Sequence, residues 1–242
     1  QKMPTFQYGI GVFLLALAPV VLLMIKEPHL SGTVLIISLG AVMMFIGGTD
    51  VRWFIAGGIV AVAGIAAVII EPDLLTVLAH YAGERIEIWL DPFSDPIDAG
   101  FQTVQSLYAI GSGGLMGAGI GASRQKYLYL PEPYNDFIFA IVCEELGFVG
   151  AVVIIGIFVL LIWRGFVIAT RCPDRFGSLV AAGLTAQVGL QTLLNIAVVT
   201  NTLPNTGISL PFFSYGGTSL VMLLGEMGVI LSISRKTPIE KE

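Results

Sequence analysis

Two carboxylates and two cations stand close together in the middle of this sequence. Glu132 and Asp136 are four residues apart, and Asp136 directly precedes the apolar run that ends at Trp163. A carboxylate at a boundary between water and lipid is partly desolvated, which raises its pKa toward the range useful for taking a proton. An acid at the start of a helix also suits the N-cap. Two readings of Asp136 therefore stand side by side, base and cap. Arg124 and Lys126 lie just upstream. Guanidinium forks match phosphate oxygens, so this pair suits a diphosphate. It equally suits anchoring to lipid headgroups, as do Tyr127 and Tyr129 beside it.

Further polar residues fall where lipid is expected. Glu144, Glu145 and Glu226 lie in or near apolar segments. Such carboxylates are costly to bury and are paired or functional. Gln187, Gln191 and Asn195 recur every four residues and form one stripe on a helix, suited to interhelical hydrogen bonds. The stretch Leu203-Pro204-Asn205-Thr206-Gly207-Ile208-Ser209-Leu210-Pro211-Phe212-Phe213-Ser214-Tyr215-Gly216-Gly217-Thr218-Ser219 interrupts helix with two prolines, three glycines and a cluster of hydroxyls. Irregular backbone at membrane depth is tolerated only where it is buried in protein or lines a cavity. From the residues alone, this is the strongest pointer to a site. Six glycines between Gly111 and Gly121 lack the Gly-Lys-Ser/Thr ending of a phosphate loop, so a closely packed or flexible loop is expected.

The elements that carry these residues follow from composition. Of 242 residues, 55% are hydrophobic, and 29 glycines raise the apolar share to about two-thirds, against about 45–50% in a soluble domain. Charged residues are 12% and mean hydropathy is +0.87. A soluble domain, a disordered tail and a nucleic-acid binder are excluded, and the net charge of −5 argues against a polyanion clamp. Cys143 and Cys172 make no disulfide framework, and with only His29 and His80 no His-rich metal site is expected.

Six apolar segments are near the ~20 residues that cross a bilayer: Tyr8–Ile25, Leu30–Gly48, Trp53–Ile70, one ending at Trp163, Phe176–Thr200 and Thr218–Ser234. The expected fold is all-α, a polytopic helical bundle forming a single membrane domain over 1–242. Residues 71–136 form a long extracytoplasmic loop and 201–217 an extracytoplasmic broken-helix segment. Phe101–Ile110 is expected to be a short helix in that loop. With both termini cytoplasmic, eight Lys and Arg lie inside and four outside, as the positive-inside rule favours. No internal repeat is visible. The chain opens Gln1-Lys2 without a signal peptide and is expected to begin mid-protein.

Pro204 through Ser219 resembles the signature of the SEDS proteins (shape, elongation, division and sporulation). Leu90-Asp91-Pro92-Phe93, Gly100-Phe101-Gln102 with Gln105-Ser106, Gly119-Ile120-Gly121, Gln125-Lys126, Leu130-Pro131-Glu132, Asp136-Phe137-Ile138-Phe139 and Glu144-Glu145-Leu146-Gly147 follow in family order. The likeness is nearer the FtsW and SpoVE branch than RodA and runs to about Arg235. It departs at Glu27-Pro28-His29, where the family reads Gln-Pro-Asp, and at Tyr134-Asn135, where it reads His-Thr.

The resemblance implies spans five to ten of a ten-span fold, and this chain alone is expected to be inactive. It implies a peptidoglycan glycosyltransferase of the bacterial cytoplasmic membrane that polymerises lipid II during cell division or sporulation. The transfer would be inverting, with lipid diphosphate as leaving group. Asp136 would be the catalytic base. Arg124, Lys126, Glu132, Pro204, Ser214, Tyr215, Gly216 and Gly217 would bind substrate. No tightly bound cofactor is implied, although a divalent cation (Mg or Mn) would help the diphosphate leave. The implied partners are a class B penicillin-binding protein, divisome proteins, lipid II and membrane lipids, with no nucleic acid. The alternative is a flippase for lipid-linked precursors, which a broken helix and Glu226 also suit.

Overall fold

The computed structural model describes residues 7–26, 30–70, 86–128 and 130–236. Outside the described residues lie Lys2, Glu27 to His29, the acidic start of the loop (Glu71, Asp73 and Glu84, with His80 and Arg85), Tyr129 and Lys241. In chain order the helices are α1 (Val12–Lys26), α2 (Leu30–Ile46), α3 (Val51–Ile70), α4 (Phe101–Gly113), α5 (Gln125–Leu128), α6 (Ile138–Arg171), α7 (Arg175–Val199) and α8 (Gly217–Ser234). No strand occurs among the described residues. The fold is an all-α membrane bundle. Only intrasegment hydrogen bonds satisfy backbone surrounded by lipid.

Helices occupy all six apolar segments. By length and apolarity α6, α7 and α8 can each cross a membrane. A π-helical turn over Gln7–Gly11 extends α1 backward. Rows of apolar side chains face outward, among them Val152, Val153 and Ile157 on α6 and Val221, Met222 and Leu224 on α8. Lipid is the solvent that accepts such rows.

The largest buried cluster lies where α4, the start of α6, the end of α7 and the segment before α8 meet. It includes Ala109, Phe137, Phe139, Val188, Val199 and Leu210. A smaller one joins Ala169 of α6 to Ala181 and Ala182 of α7. These helices approach closely, because a Cβ on Gly165 would overlap the Thr185 side chain.

The apolar run after Asp136 continues to Arg171, past the Trp163 end expected from hydropathy, because it holds a break. Gly147 (φ 67°, ψ −170°) divides α6 into Ile138–Leu146 and Phe148–Arg171. The second part, about 24 residues or roughly 36 Å, spans ~30 Å of hydrocarbon unaided. In an unbroken helix the Phe148 and Val149 N–H groups would bond the Glu144 and Glu145 carbonyls. Here the glycine-rich loop is spliced between them. Phe148 N–H donates to Gly114 O (2.9 Å) and Val149 N–H to Leu115 O (3.1 Å). Ala118 N–H donates to Glu144 O (2.9 Å) and Gly119 N–H to Glu145 O (3.0 Å). All four helical groups orphaned by the break are satisfied. A Cβ on Gly117 (φ 81°) would overlap the Glu145 carbonyl, and one on Gly147 would overlap the Gly117 amide. The glycine run is therefore a packed clip with no ligand role in view.

Candidate active site

Three consecutive carbonyls before α6 are tied to other elements. Tyr134 O accepts from Tyr215 N–H (2.8 Å), and Asn135 O accepts from the Ser214 hydroxyl (2.7 Å). Asp136 O accepts from Asn195 Nδ2 (2.7 Å). Asn195, fully buried on α7, gives its second Nδ2 hydrogen to Ile208 O (2.7 Å). The Ser214 hydroxyl also accepts from Leu210 N–H (2.7 Å). Residues 203–216 are thus folded onto residues 134–136. This is the irregular backbone expected from its prolines and glycines, with Ile208, Leu210 and Pro211 buried and the rest partly or fully exposed. Phe212 (φ 65°) and Asn201 (φ 54°) take left-handed conformations within or beside it. Such strain persists where surrounding structure imposes it.

The Asp136 carboxylate faces Gly207. A Cβ there would stand 3.2 Å from Asp136 Oδ2, and Gly207 itself has φ 67°. Among the described residues no donor bonds this carboxylate. The residue that caps α6 is Phe137, with no side-chain cap bond. The cap reading of Asp136 is therefore not what the fold uses. Half-burial pushes the carboxyl pKa above the ordinary aspartate value, and the Glu132 charge adds to the rise. Glu132, exposed and left-handed (φ 48°), accepts from Asn135 Nδ2.

The rim is polar. Gln102 of α4 donates to Pro131 O (3.3 Å) and accepts from Asn205 Nδ2 (2.9 Å). Trp89 Nε1 donates to Asn201 O (3.1 Å), and Asn201 Nδ2 donates back to Trp89 O (3.2 Å). A cavity of about 170 Å³ lies here, lined by Ile88, Trp89, Ala99, Thr103, Asn201 and Asn205.

The basic pair is held by the acidic pair of α6. Glu144, buried, accepts from the Ser123 hydroxyl, from Arg124 N–H (2.9 Å) and from Gln125 N–H (3.4 Å), at the start of α5. Glu145 pairs with Lys126 Nζ at 2.6 Å. That hydrogen bond holds the Lys126 pKa above its ordinary value. The Arg124 side chain is exposed and unpaired among the described residues. Of the two cations, Arg124 is the one presented to an incoming anion. Glu144 lies about two turns, roughly 12 Å, along α6 from Asp136.

Other expected binding residues have mixed surroundings. Ser214 uses its hydroxyl on backbone, Pro204 is half-buried, and the Tyr215 side chain is open to solvent. Gly216 caps α8, which starts at Gly217. Glu226 accepts from Gln187 Nε2 (3.0 Å), so the stripe on α7 serves α8 at one end and the site at the other. The stripe marked Asn195 as a hydrogen-bonding residue, but only the fold shows that it holds the Asp136 backbone. Nothing in the local sequence linked Ser123 to Glu144. Among the described residues no cluster of three metal-ligating side chains exists. A divalent cation here would need most of its ligands from outside the described side chains.

A family model described as cell cycle protein, FtsW/RodA/SpoVE, matches residues 2–239. The chain belongs to this family. Stage V sporulation protein E of Bacillus subtilis is 44% identical over 88% of the chain and 57% of the relative. A probable peptidoglycan glycosyltransferase FtsW of Geobacter sp. is 39% identical over 98% of the chain and 62% of that protein. The chain spans about three-fifths of the length of these FtsW/RodA/SpoVE relatives. A solved structure described as a peptidoglycan synthase complex coordinating polymerization and crosslinking matches with TM-score 0.71 and 29% identity, over 96% of the chain and 62% of that chain. RodA of Thermus thermophilus matches with TM-score 0.60 and 27% identity, over 96% and 58%.

Proposed function

We propose that the chain carries the catalytic side of a membrane glycosyltransferase that polymerises lipid II into glycan strands. The observation that carries the proposal is the Asp136 carboxylate. It is half-buried, bonded to no donor among the described residues, raised in pKa and anchored through its own backbone by Asn195. In this reading an acceptor hydroxyl attacks the anomeric carbon of the donor sugar. The new C–O bond forms as the bond from that carbon to the lipid diphosphate breaks, inverting the centre. Asp136 takes the hydroxyl proton. The diphosphate leaves with its electron pair, met by Arg124. A divalent cation, held in part by the exposed Glu132 carboxylate, would neutralise charge there. One carboxylate suffices, because a diphosphate needs no general acid, whereas glycosidases use two.

The reading extends to the setting. The names of the relatives and the matched synthase complex support a penicillin-binding protein as partner. The surplus of Lys and Arg on the loops opposite the Asp136 side supports an extracytoplasmic site and cytoplasmic termini. The decisive experiment is polymerisation of lipid II in detergent by the full-length protein and its Asp136→Asn variant. The expected outcome is glycan formation reduced at least ~100-fold in the variant, the lower end of base contributions. Near-normal synthesis by Asp136→Asn would sink Asp136 as the base. Absence of polymerisation by the parent protein, with lipid II translocation in vesicles, would favour transport.

A further inference from the structure

Toward the basic ends of the spans, α6 and α8 part and leave an apolar groove of about 300 Å³ against α7. Leu161, Ile162 and Ile168 of α6 and Ile230 and Leu231 of α8 line it, with Arg164 set among them. The two helices run the same way, because Tyr215 before α8 is bonded to Tyr134 before α6. The lining from Leu161 to Ile168 thus runs beside that ending at Ser234, over roughly 10 Å. Its lining reaches Ser234, where α8 ends and Arg235 and Lys236 follow.

Arg164 does not fit a purely apolar groove. Its side chain is exposed, stays charged, and has no hydrogen bond or ion pair among the described residues. An unpaired charge within a span is costly. Arg164 stands about one turn, roughly 6 Å, short of the level of Ser234. Its stem can lie along the groove while its guanidinium reaches headgroup depth. The site therefore calls for a ligand with an anionic head at the interface and an apolar body in the groove. An acyl chain is slim enough to lie in an apolar groove of about 300 Å³, and the cation beside it selects an anionic head.

We propose that this groove is a binding site for one anionic glycerophospholipid, its phosphate on Arg164 and one acyl chain between α6 and α8. The inference is independent of the glycosyltransferase reading. Its test is native mass spectrometry of the full-length protein released from detergent holding equal phosphatidylglycerol and phosphatidylcholine. The parent is expected to retain phosphatidylglycerol about five-fold over phosphatidylcholine, the effect of one basic side chain on an anionic lipid. Arg164→Gln removes the preference. Leu161→Trp fills the groove at an exposed position and lowers retention while leaving Arg164 in place. Equal retention of both lipids by the parent, or an unchanged preference in Arg164→Gln, would overturn the proposal. So would full retention in Leu161→Trp, since charge alone would then hold the lipid.

Discussion

Asp136 is a carboxylate with no donor among the described residues, while Asn195 fixes its backbone. Burial and the Glu132 charge both hold its pKa up. The acidic limb of kcat/KM reports the base of the free enzyme, so it is expected above the ordinary aspartate range. Glu132→Gln removes the second cause and should move that limb to lower pH in a polymerisation assay. The same shift has a sign for stability. A carboxyl whose folded pKa exceeds its unfolded value favours folding below the unfolded value, and this contribution is lost as pH rises through the folded value. Charged Asp136 therefore works against folding at neutral pH. Asp136→Asn should melt no lower than the parent while losing activity, as measured by thermal unfolding beside the activity assay. A clear drop in melting temperature would mean that the carboxylate has a structural partner.

At the scale of elements, the break in α6 and the glycine clip form one unit. The clip supplies hydrogen bonds that the helix lost at Gly147, and it sets the loop leading to Ser123, Arg124 and Lys126. Glycine substitutions separate the two demands on this loop. Gly114 (φ 53°, ψ −145°) has open space at its Cβ position, so Gly114→Ala meets only the backbone penalty of a positive-φ conformation, ~1–3 kcal/mol. Gly117→Ala meets that penalty and a collision with the Glu145 carbonyl. It should cost clearly more in a melting experiment and should loosen the loop to proteolysis. Equal costs for the two variants would count against the splice. Glu144→Ala leaves the Ser123 hydroxyl and the Arg124 and Gln125 amides, where α5 begins, without their shared acceptor. Loss of hydrogen bonds to a charged group costs ~1.5–3 kcal/mol.

For the whole molecule, the charge distribution is the ground for proposing an orientation. Asp95 lies on the Asp136 side and Thr170 near the opposite end of α6. An impermeant thiol reagent applied to intact protoplasts should label Asp95→Cys and leave Thr170→Cys unlabelled until the membrane is opened. The opposite pattern would invert the topology and remove Asp136 from the face where extracytoplasmic glycan is made. Both positions are exposed, so the labelling reads side and not burial.

Composition and hydropathy were enough for an all-α membrane bundle, because lipid leaves apolar helical segments little choice. The prolines and glycines of residues 203–217, clustered with hydroxyls, were enough to mark irregular backbone, since together they break the helical hydrogen-bond ladder. The position of Asp136 before an apolar run allowed both a cap and a base. Tertiary structure set the cap reading aside, because capping depends on where the side chain points, and here the carboxylate faces Gly207, from a distant part of the chain. Hydropathy carried the α6 run only to Trp163 and was blind to its break, since one glycine barely alters an apolar average. The partners of Glu144 and Glu145 were equally hidden. Those bonds join residues about twenty positions apart across a loop, and only the closed clip brings them together.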